Sequence, residues 1–525
     1  MKLLIDYYLQ KHRRLYCAFI DYEKAFDTVN HIALWQKLLN SNIDGKIFRV
    51  VFDMYKKAKS CVRVGNEFSR TFACHIGVRQ GENLSPLLFA IFLNDLVGYM
   101  SQRFEGLNLI SDDIDRQVES GNLEMFLKLY LLLYADDTVI FSESKEDLQL
   151  ALNGMSDYCS LWKLKVNVLK TKVIIFSRGK LRNKPSFFYQ DIPVEVIDDF
   201  SYLGVLFNYN GKFAKAKTRL CNQARKAMFA LLVKIRKMSL PLDIQIHLFD
   251  SMICPILLYG SEVWGCENFD VVSQFQLKYL KMLLKCKSCT PNVMVFGELG
   301  VYPIELAIKS RMLNFWCSIV TGKQSKISCI LYKLMFRLHN DGVLHSNWLL
   351  SIQRVLDELG MSHLWLSQNV YSHSSFKNIV KRCLQDQFVQ NWRSKIYESS
   401  SCLNYRVFKD SFELERYLID IPYGLAINLL KFRCRNSKLP VVIGQYNNVT
   451  VNDRLCTLCD SHFVGDEFHY LLECSFFSDL RKKYIPNGYY IRPNIFKFAQ
   501  LLQSKDQYML TRVCIFVKNI LNHFK

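Results

Sequence analysis

LYCAFI, residues 15–20, reads as a strand by its bulky apolar content. Residues 1–15 ahead of it carry helical spacing. In DYEKAFDTVNHIALWQKLLN, which follows, Val29, Ile32, Leu34, Leu38 and Leu39 predict the apolar face of a helix. Residues 61–74 read as a hairpin around Gly65-Asn66. Ser85-Pro86 suits a helix start, because a Ser cap and an early Pro both fit the orphan amides of a first turn. Residues 101–123 are polar and predict an exposed loop. Residues 127–144 then read as two apolar strands flanking a polar turn at Ala135–Asp137, and Lys145–Leu161 as an amphipathic helix. Further strands are expected at Val173–Phe176 and, as one strand with an internal Gly, at 200–207. The order β-α, β-hairpin, α, β-hairpin, α, β is an α+β pattern, with acidic residues at strand ends and turns.

Beyond residue 210 the periodicity is helical. Lys212, Lys215, Lys217, Arg219, Arg225, Lys226, Lys234, Arg236 and Lys237 fall within residues 211–240, which contain no acid. Leu220, Ala224, Ala227, Met228, Leu231, Ile235 and Met238 form the opposing apolar stripe. Helical periodicity continues through 330–430, and residues 495–525 suggest a closing helix. The whole chain of 525 residues has a net charge of +20, which points to a polyanionic partner, nucleic acid or an anionic membrane surface. No uncharged apolar run reaches the length of a membrane span, and Asp6 interrupts what a secretory signal would need as its core. The 18 cysteines in so large a chain fit a reducing compartment better than a disulfide scaffold. An intracellular protein of nucleus or cytoplasm, neither secreted nor transmembrane, is expected.

Adjacent aspartates occur at 112–113, 136–137 and 198–199. The first and last pairs read as solvated loops. Asp136-Asp137 differs because it lies between two strongly apolar strands, and Asp21 closes another such strand. Two carboxylates at about 4 Å repel by about 4 kcal/mol at an effective dielectric of 20. A fold keeps them together only where protons or cations share the site. Magnesium is the natural occupant, since it prefers carboxylate oxygens, waters and phosphates. Two such ions serve in-line phosphoryl transfer, in a polymerase or equally in a nuclease.

AFIDYEKAFDTV, GVRQGENLSPLLF, YADD, NVLKTK and FSYLGV resemble, in order and at plausible spacing, the successive palm motifs of reverse transcriptases. The first two are similar in wording to those of non-LTR, LINE-type retrotransposon polymerases. MICPILLYGSEVWG and DRLCTLCDSHFVGDEFHYLLEC resemble that group's later regions, and the likeness thins over 330–430. The resemblance implies a right-hand palm of antiparallel sheet and helices, then a helical thumb and a helical C-terminal region with a small zinc module. It implies an RNA-directed DNA polymerase that extends a DNA 3′-hydroxyl on an RNA template with dNTPs and two Mg²⁺ ions. Asp21, Asp136 and Asp137 would hold the ions. Tyr22 would sit beside them, and Lys170, or alternatively Lys172, would neutralise the leaving pyrophosphate. Phe26 would exclude the nucleotide 2′-hydroxyl; its alternative is a core aromatic. Arg79, Gln80 and Gly81 would line the nucleotide and template base, and Tyr202, Leu203 and Gly204 would support the primer end. Residues 211–240 would track the duplex, and five phosphate contacts would give a log–log salt slope of about −4 to −5.

Only 20 residues precede Asp21, fewer than the family's fingers region requires. A chain shortened at its N-terminus, with weak polymerase activity or none, is therefore expected. The alternative function is a catalytically silent remnant that binds RNA or DNA. Near the C-terminus, Cys456, Cys459, His469 and Cys474 form a CCHC set suited to tetrahedral zinc, with His462 as a rival ligand. Arg481, Lys482 and Lys483 follow closely and could grip nucleic acid. The expected domains are a palm with residual fingers at 1–207, a thumb and post-palm region at 208–330, a helical connector at 331–440, the zinc module at 441–490 and a terminal helix at 491–525.

Overall fold

The computed structural model describes residues 1–108, 128–129, 131–134, 137–323 and 326–524. They fall into two compact units, one of residues 1–216 with 323–349, the other of 217–322 with 350–525.

In the first unit, helix α1 (Lys2–Gln10) leads into strand β1 (Leu15–Ile20), which is buried at every position, as its continuous apolar run requires. β1 sits inside a six-stranded sheet with β2 (Leu131–Tyr134), β3 (Asp137–Ser142), β4 (Lys172–Phe176), β5 (Phe187–Tyr189) and β6 (Ile192–Ile197). Their spatial order is β5-β6-β4-β1-β3-β2. The sheet is mixed rather than wholly antiparallel: β6 runs parallel to β4. The chain leaving β4 first forms the outer edge strand β5, and the β5–β6 hairpin then returns β6 in the direction of β4.

Side chains of β1 alternate between the two faces. Tyr16, Ala18 and Ile20 join the core under helices α2 (His31–Asn40), α3 (Ser85–Phe92) and α4 (Lys145–Trp162). Phe19, on the other face, packs against Phe200 and Tyr202 with ring centroids 4.5 and 5.4 Å away. The helix expected from residue 21 begins only at His31, because Asn30 caps it by accepting from the Ala33 amide. Its buried positions are Leu34, Lys37 and Leu38, whereas Ile32 and Leu39 are exposed. Lys37 is tolerated inside because its ammonium pairs with Asp95 and lies over the Trp162 ring. Residues 200–207 form two strands, β7 (Asp199–Tyr202) and β8 (Val205–Asn208), and not the one expected. Leu203 and Gly204, at φ +48° and +77°, make the tight turn between them.

Asp198 and Asp199 are partly exposed but held in ion pairs. Lys180 and Lys184 pair with Asp198 at 2.8 and 2.7 Å, and Lys215 pairs with Asp199 at 2.6 Å. Most of the polar 101–123 stretch lies outside the described residues. Residues 323–349, expected to straddle thumb and connector, pack with the N-terminal unit. The Ser346 hydroxyl donates to Asp6 at 3.2 Å, and the His345 amide donates to Gln10 at 2.8 Å.

The second unit is helical. Its elements include most of α5 (Ala214–Met238), then α6 (Asn292–Leu299), α7 (Ile304–Val320), α8 (His373–Glu398), α9 (Tyr423–Arg433) and α10 (Gln507–Asn522). α7 packs on α8 and α9 on α10. The closing segment is two helices, since Asp506 accepts from the Tyr508 and Met509 amides and starts α10 anew. Among the described residues no helix is long and apolar enough to cross a membrane.

Candidate active site and metal centre

Asp21 stands one residue beyond the end of β1. The antiparallel register pairs Ile20 with Thr138, so one further step sets Asp21 across from Asp137. The Asp21 amide donates to the buried Thr171 hydroxyl at 3.1 Å, and its carbonyl accepts from the Asn167 amide at 2.7 Å. These two bonds anchor the backbone and leave the carboxylate, 41% exposed, open to solvent. Lys170 reaches it at 3.8 Å. Lys172 is committed elsewhere, 2.8 Å from Glu195 in the sheet, so Lys170 is the lysine beside Asp21. Tyr22 turns its ring inward against Phe89 and accepts from Thr138 at 3.4 Å. Asp136 lies outside the described residues.

The loop after Asp21 docks on the segment preceding α3. The Val78 amide donates to the Phe26 carbonyl at 2.7 Å, and the Gly77 amide to that of Val29 at 2.8 Å. A Cβ on Gly77 would meet the Asp27 carbonyl oxygen at 2.7 Å, so only glycine allows this approach. Phe26 is half-buried, stacked on Phe89 at 4.9 Å. The Gln80 amide donates to the Asp27 carboxylate at 3.0 Å. Gly81 has φ +88° and open space around it, and Arg79 pairs with Glu82 at 2.8 Å. Tyr202, on β7 under the sheet, lies close enough to feel the Asp137 charge. Burial first, and then that charge, push its phenol up to about 12.

On α5, Arg219, Arg225, Lys226, Lys234, Arg236 and Lys237 are exposed. Local acids are absent, but distant ones supply partners. Lys215 is held by Asp199, and Lys217 is buried against Glu267 at 3.0 Å. Six exposed cations remain in the second unit, so a phosphate backbone along this helix gives a salt slope of at most about −5.

Cys456, Cys459, His469 and Cys474 converge, with all four ligand atoms within 4.8 Å of one another. Cys456 Sγ is 3.6 Å from Cys459 Sγ and 3.9 Å from Cys474 Sγ, and His469 Nε2 is 3.4 Å from Cys459 Sγ. A tetrahedral zinc with Zn–S bonds of about 2.3 Å sets sulfur atoms about 3.8 Å apart, so the donors fit that ion. Burial opposes ionisation of Cys459, but its hydrogen bonds with Ser461, Cys456 and His469 prevail and lower its thiol to about 6. His462 is exposed and outside the cluster. Arg481 is buried and donates to the carbonyls of Leu471 and Cys474 at 2.9 and 2.8 Å, so it braces this segment and is not available to nucleic acid. The hydroxyl of Thr171 and the brace of Arg481 escaped the sequence reading. Their neighbours Lys170 and Cys474 were the only signal.

A sheet presenting carboxylates at the ends of two adjacent antiparallel strands, with a lysine beside one of them, is an arrangement suited to two-metal phosphoryl transfer. Residues 2–207 match the reverse transcriptase (RNA-dependent DNA polymerase) family and form a reverse transcriptase domain. The chain is similar to a probable RNA-directed DNA polymerase from transposon BS of Drosophila melanogaster, 26% identical over 57% of this chain and 32% of that protein. It is also similar to a retrovirus-related Pol polyprotein from type-1 retrotransposable element R2 of Popillia japonica (24%; 50% of this chain, 42% of that protein). A third relative is an RNA-directed DNA polymerase from mobile element jockey of Drosophila funebris (23%; 53% and 29%). The chain thus spans between 29% and 42% of the lengths of these relatives.

Proposed function

We propose that this chain is an RNA-directed DNA polymerase of a non-LTR retrotransposon, adding dNTPs to a DNA 3′-hydroxyl on an RNA template. The observation that supports this reading best is the antiparallel β1–β3 register, in which Ile20 pairs with Thr138 and Asp21 and Asp137 are the next positions, with Lys170 3.8 Å from Asp21. Asp21 and Asp137, with Asp136 from the YADD motif, are the ligands for two Mg²⁺ ions. Carboxylates at the ends of neighbouring strands, one of them open to solvent, suit a hard cation that keeps waters and phosphate oxygens. Mg²⁺ held by these carboxylates would supply the positive charge that in-line attack by the 3′-oxygen on the α-phosphorus needs. Lys170 balances the charge that develops as pyrophosphate leaves. Phe26, fixed by Phe89, presents a flat ring toward the sugar, and its bulk disfavours a 2′-hydroxyl. Gln80 and Gly81 allow close approach of the nucleotide and template base, with Arg79 beside them. The β7–β8 turn at Tyr202, Leu203 and Gly204 supports the primer terminus.

Zinc at Cys456, Cys459, His469 and Cys474 is structural in this reading, because four protein donors close the coordination shell. The exposed cations of α5 hold the phosphate backbone. The substrates place the protein's work inside the cell, in nucleus or cytoplasm.

The test is primer extension by the purified chain with Mg²⁺, an RNA template and dNTPs. Wild type extends the primer, and Asp21→Asn abolishes extension. Undiminished synthesis by the variant overturns the metal assignment, and no synthesis by wild type overturns the polymerase reading in favour of the silent remnant that binds RNA or DNA.

A further inference from the structure

His469 presents Nε2 to the sulfur cluster, 3.4 Å from Cys459 Sγ. Its other ring nitrogen, Nδ1, is buried and makes no hydrogen bond. The carboxylate of Glu473 faces it, with Oε2 3.5 Å away. The local backbone explains how these groups meet. Residues 469–473 form a π-turn, and the Cys474 amide donates to the His469 carbonyl at 2.8 Å. In an α-helix, at about 100° per residue, positions five apart point to nearly opposite sides. The wider i→i+5 turn sets Cys474 almost above His469, so both reach one centre, and it keeps Glu473 on the same flank. Arg481 binds the carbonyls of Tyr470, Leu471 and Cys474 and so holds this turn in shape.

A histidine that gives Nε2 to a metal must carry its proton on Nδ1. A buried N–H without an acceptor carries its desolvation penalty uncompensated. From Nδ1, Glu473 is the facing acceptor, and a contraction of about half an ångström completes a hydrogen bond of ordinary length. We propose that Glu473 is a positioning residue of the metal centre, accepting the His469 Nδ1 proton and thereby fixing the ring with Nε2 on the ion. A carboxylate in this place raises the basicity of the imidazole ligand and locks its tautomer. The Glu473 side chain is 28% exposed, so its replacement leaves the core intact.

This inference rests on the zinc reading of the four-residue cluster, and the experiment separates the two. The full-length chain is stripped of metal and titrated with Co²⁺, following the ligand-field absorption of a tetrahedral thiolate site. Zn²⁺ affinity is then measured against a chromophoric chelator. Wild type that binds neither ion refutes the zinc reading and the inference with it. With wild type binding, Glu473→Ala weakens Zn²⁺ affinity 10- to 100-fold. Glu473→Gln, which keeps an acceptor oxygen, recovers part of that loss. In long-range ¹H–¹⁵N spectra with labelled histidine, zinc-loaded wild type shows His469 as the Nδ1–H tautomer with a slowly exchanging proton, and exchange quickens in Glu473→Ala. Wild-type affinity and exchange in Glu473→Ala overturn the positioning role while leaving the zinc site standing. Equal losses in Ala and Gln also overturn it, by assigning the effect to charge alone.

Discussion

Glu298 is fully buried on α6, where its carboxylate faces Arg433 of α9, also fully buried. Arg433 Nη2 lies 3.0 Å from Glu298 Oε1, Nε lies 3.2 Å from both carboxylate oxygens, and the Tyr417 hydroxyl donates to Oε2 at 2.5 Å. Glu415 pairs with both Arg433 (3.2 Å) and Lys409 (2.5 Å), so two cations balance two anions. Glu298→Gln leaves the cluster with one uncompensated positive charge and adds an amide N–H₂ among donors. Coulomb's law at an effective dielectric of 20 assigns about 5 kcal/mol to a pair at 3 Å. Breaking a buried pair from one side costs about 3–5 kcal/mol, and we expect that range here. The assay is urea unfolding of the full chain followed by tryptophan fluorescence. Trp264, Trp316, Trp365 and Trp392 report on the second unit, in which the cluster sits. The control is Glu358→Gln, which breaks the half-exposed pair with Lys309 at 2.8 Å and is expected to cost under about 1 kcal/mol. A Glu298→Gln loss no larger than the control's would refute the reasoning.

Lys170→Ala should lower kcat for primer extension by about 10²-fold, the low end for a group acting on the transferred charge, with little change in KM. Lys172→Ala should leave kcat near wild type, because its ammonium is engaged by Glu195; equal effects would remove Lys170 from the chemistry. Gly77→Ala should destabilise the first unit by more than Gly81→Ala, whose cost should be about 1 kcal/mol. Both have positive φ, but only Gly77 would drive its Cβ against a carbonyl. Paired melting curves decide this. Lys180 and Lys184 hold Asp198 below its ordinary range, so its contribution to stability is complete above the usual carboxylate pKa and fades as pH falls through the lowered native value. Acid titration of wild type against Asp198→Asn should show the two stabilities converging in that window.

Much of the reverse transcriptase domain was legible in the chain itself. A short run of bulky apolar residues favours a strand, which placed β1 at Leu15–Ile20, and strands flanking a polar turn gave the β2–β3 hairpin, with Asp137 opening β3. The spacing of Cys456, Cys459, His469 and Cys474 likewise announced their convergence, because such donors rarely fall so close by accident. Local pattern is silent about partners brought from far along the chain. It could not reveal that Lys217 is neutralised by Glu267, that Arg481 turns inward, or that Glu298 and Arg433, 135 positions apart, share one buried cluster. Nor could it tell a strand at 200–207 from a hairpin, since Leu203 enters the left-handed region only because β7 and β8 pair across it. Composition and periodicity determine which segments must be buried and which residues suit an ion or a phosphate. Tertiary packing decides which charges meet, because a charge excluded from water takes whatever partner the fold delivers.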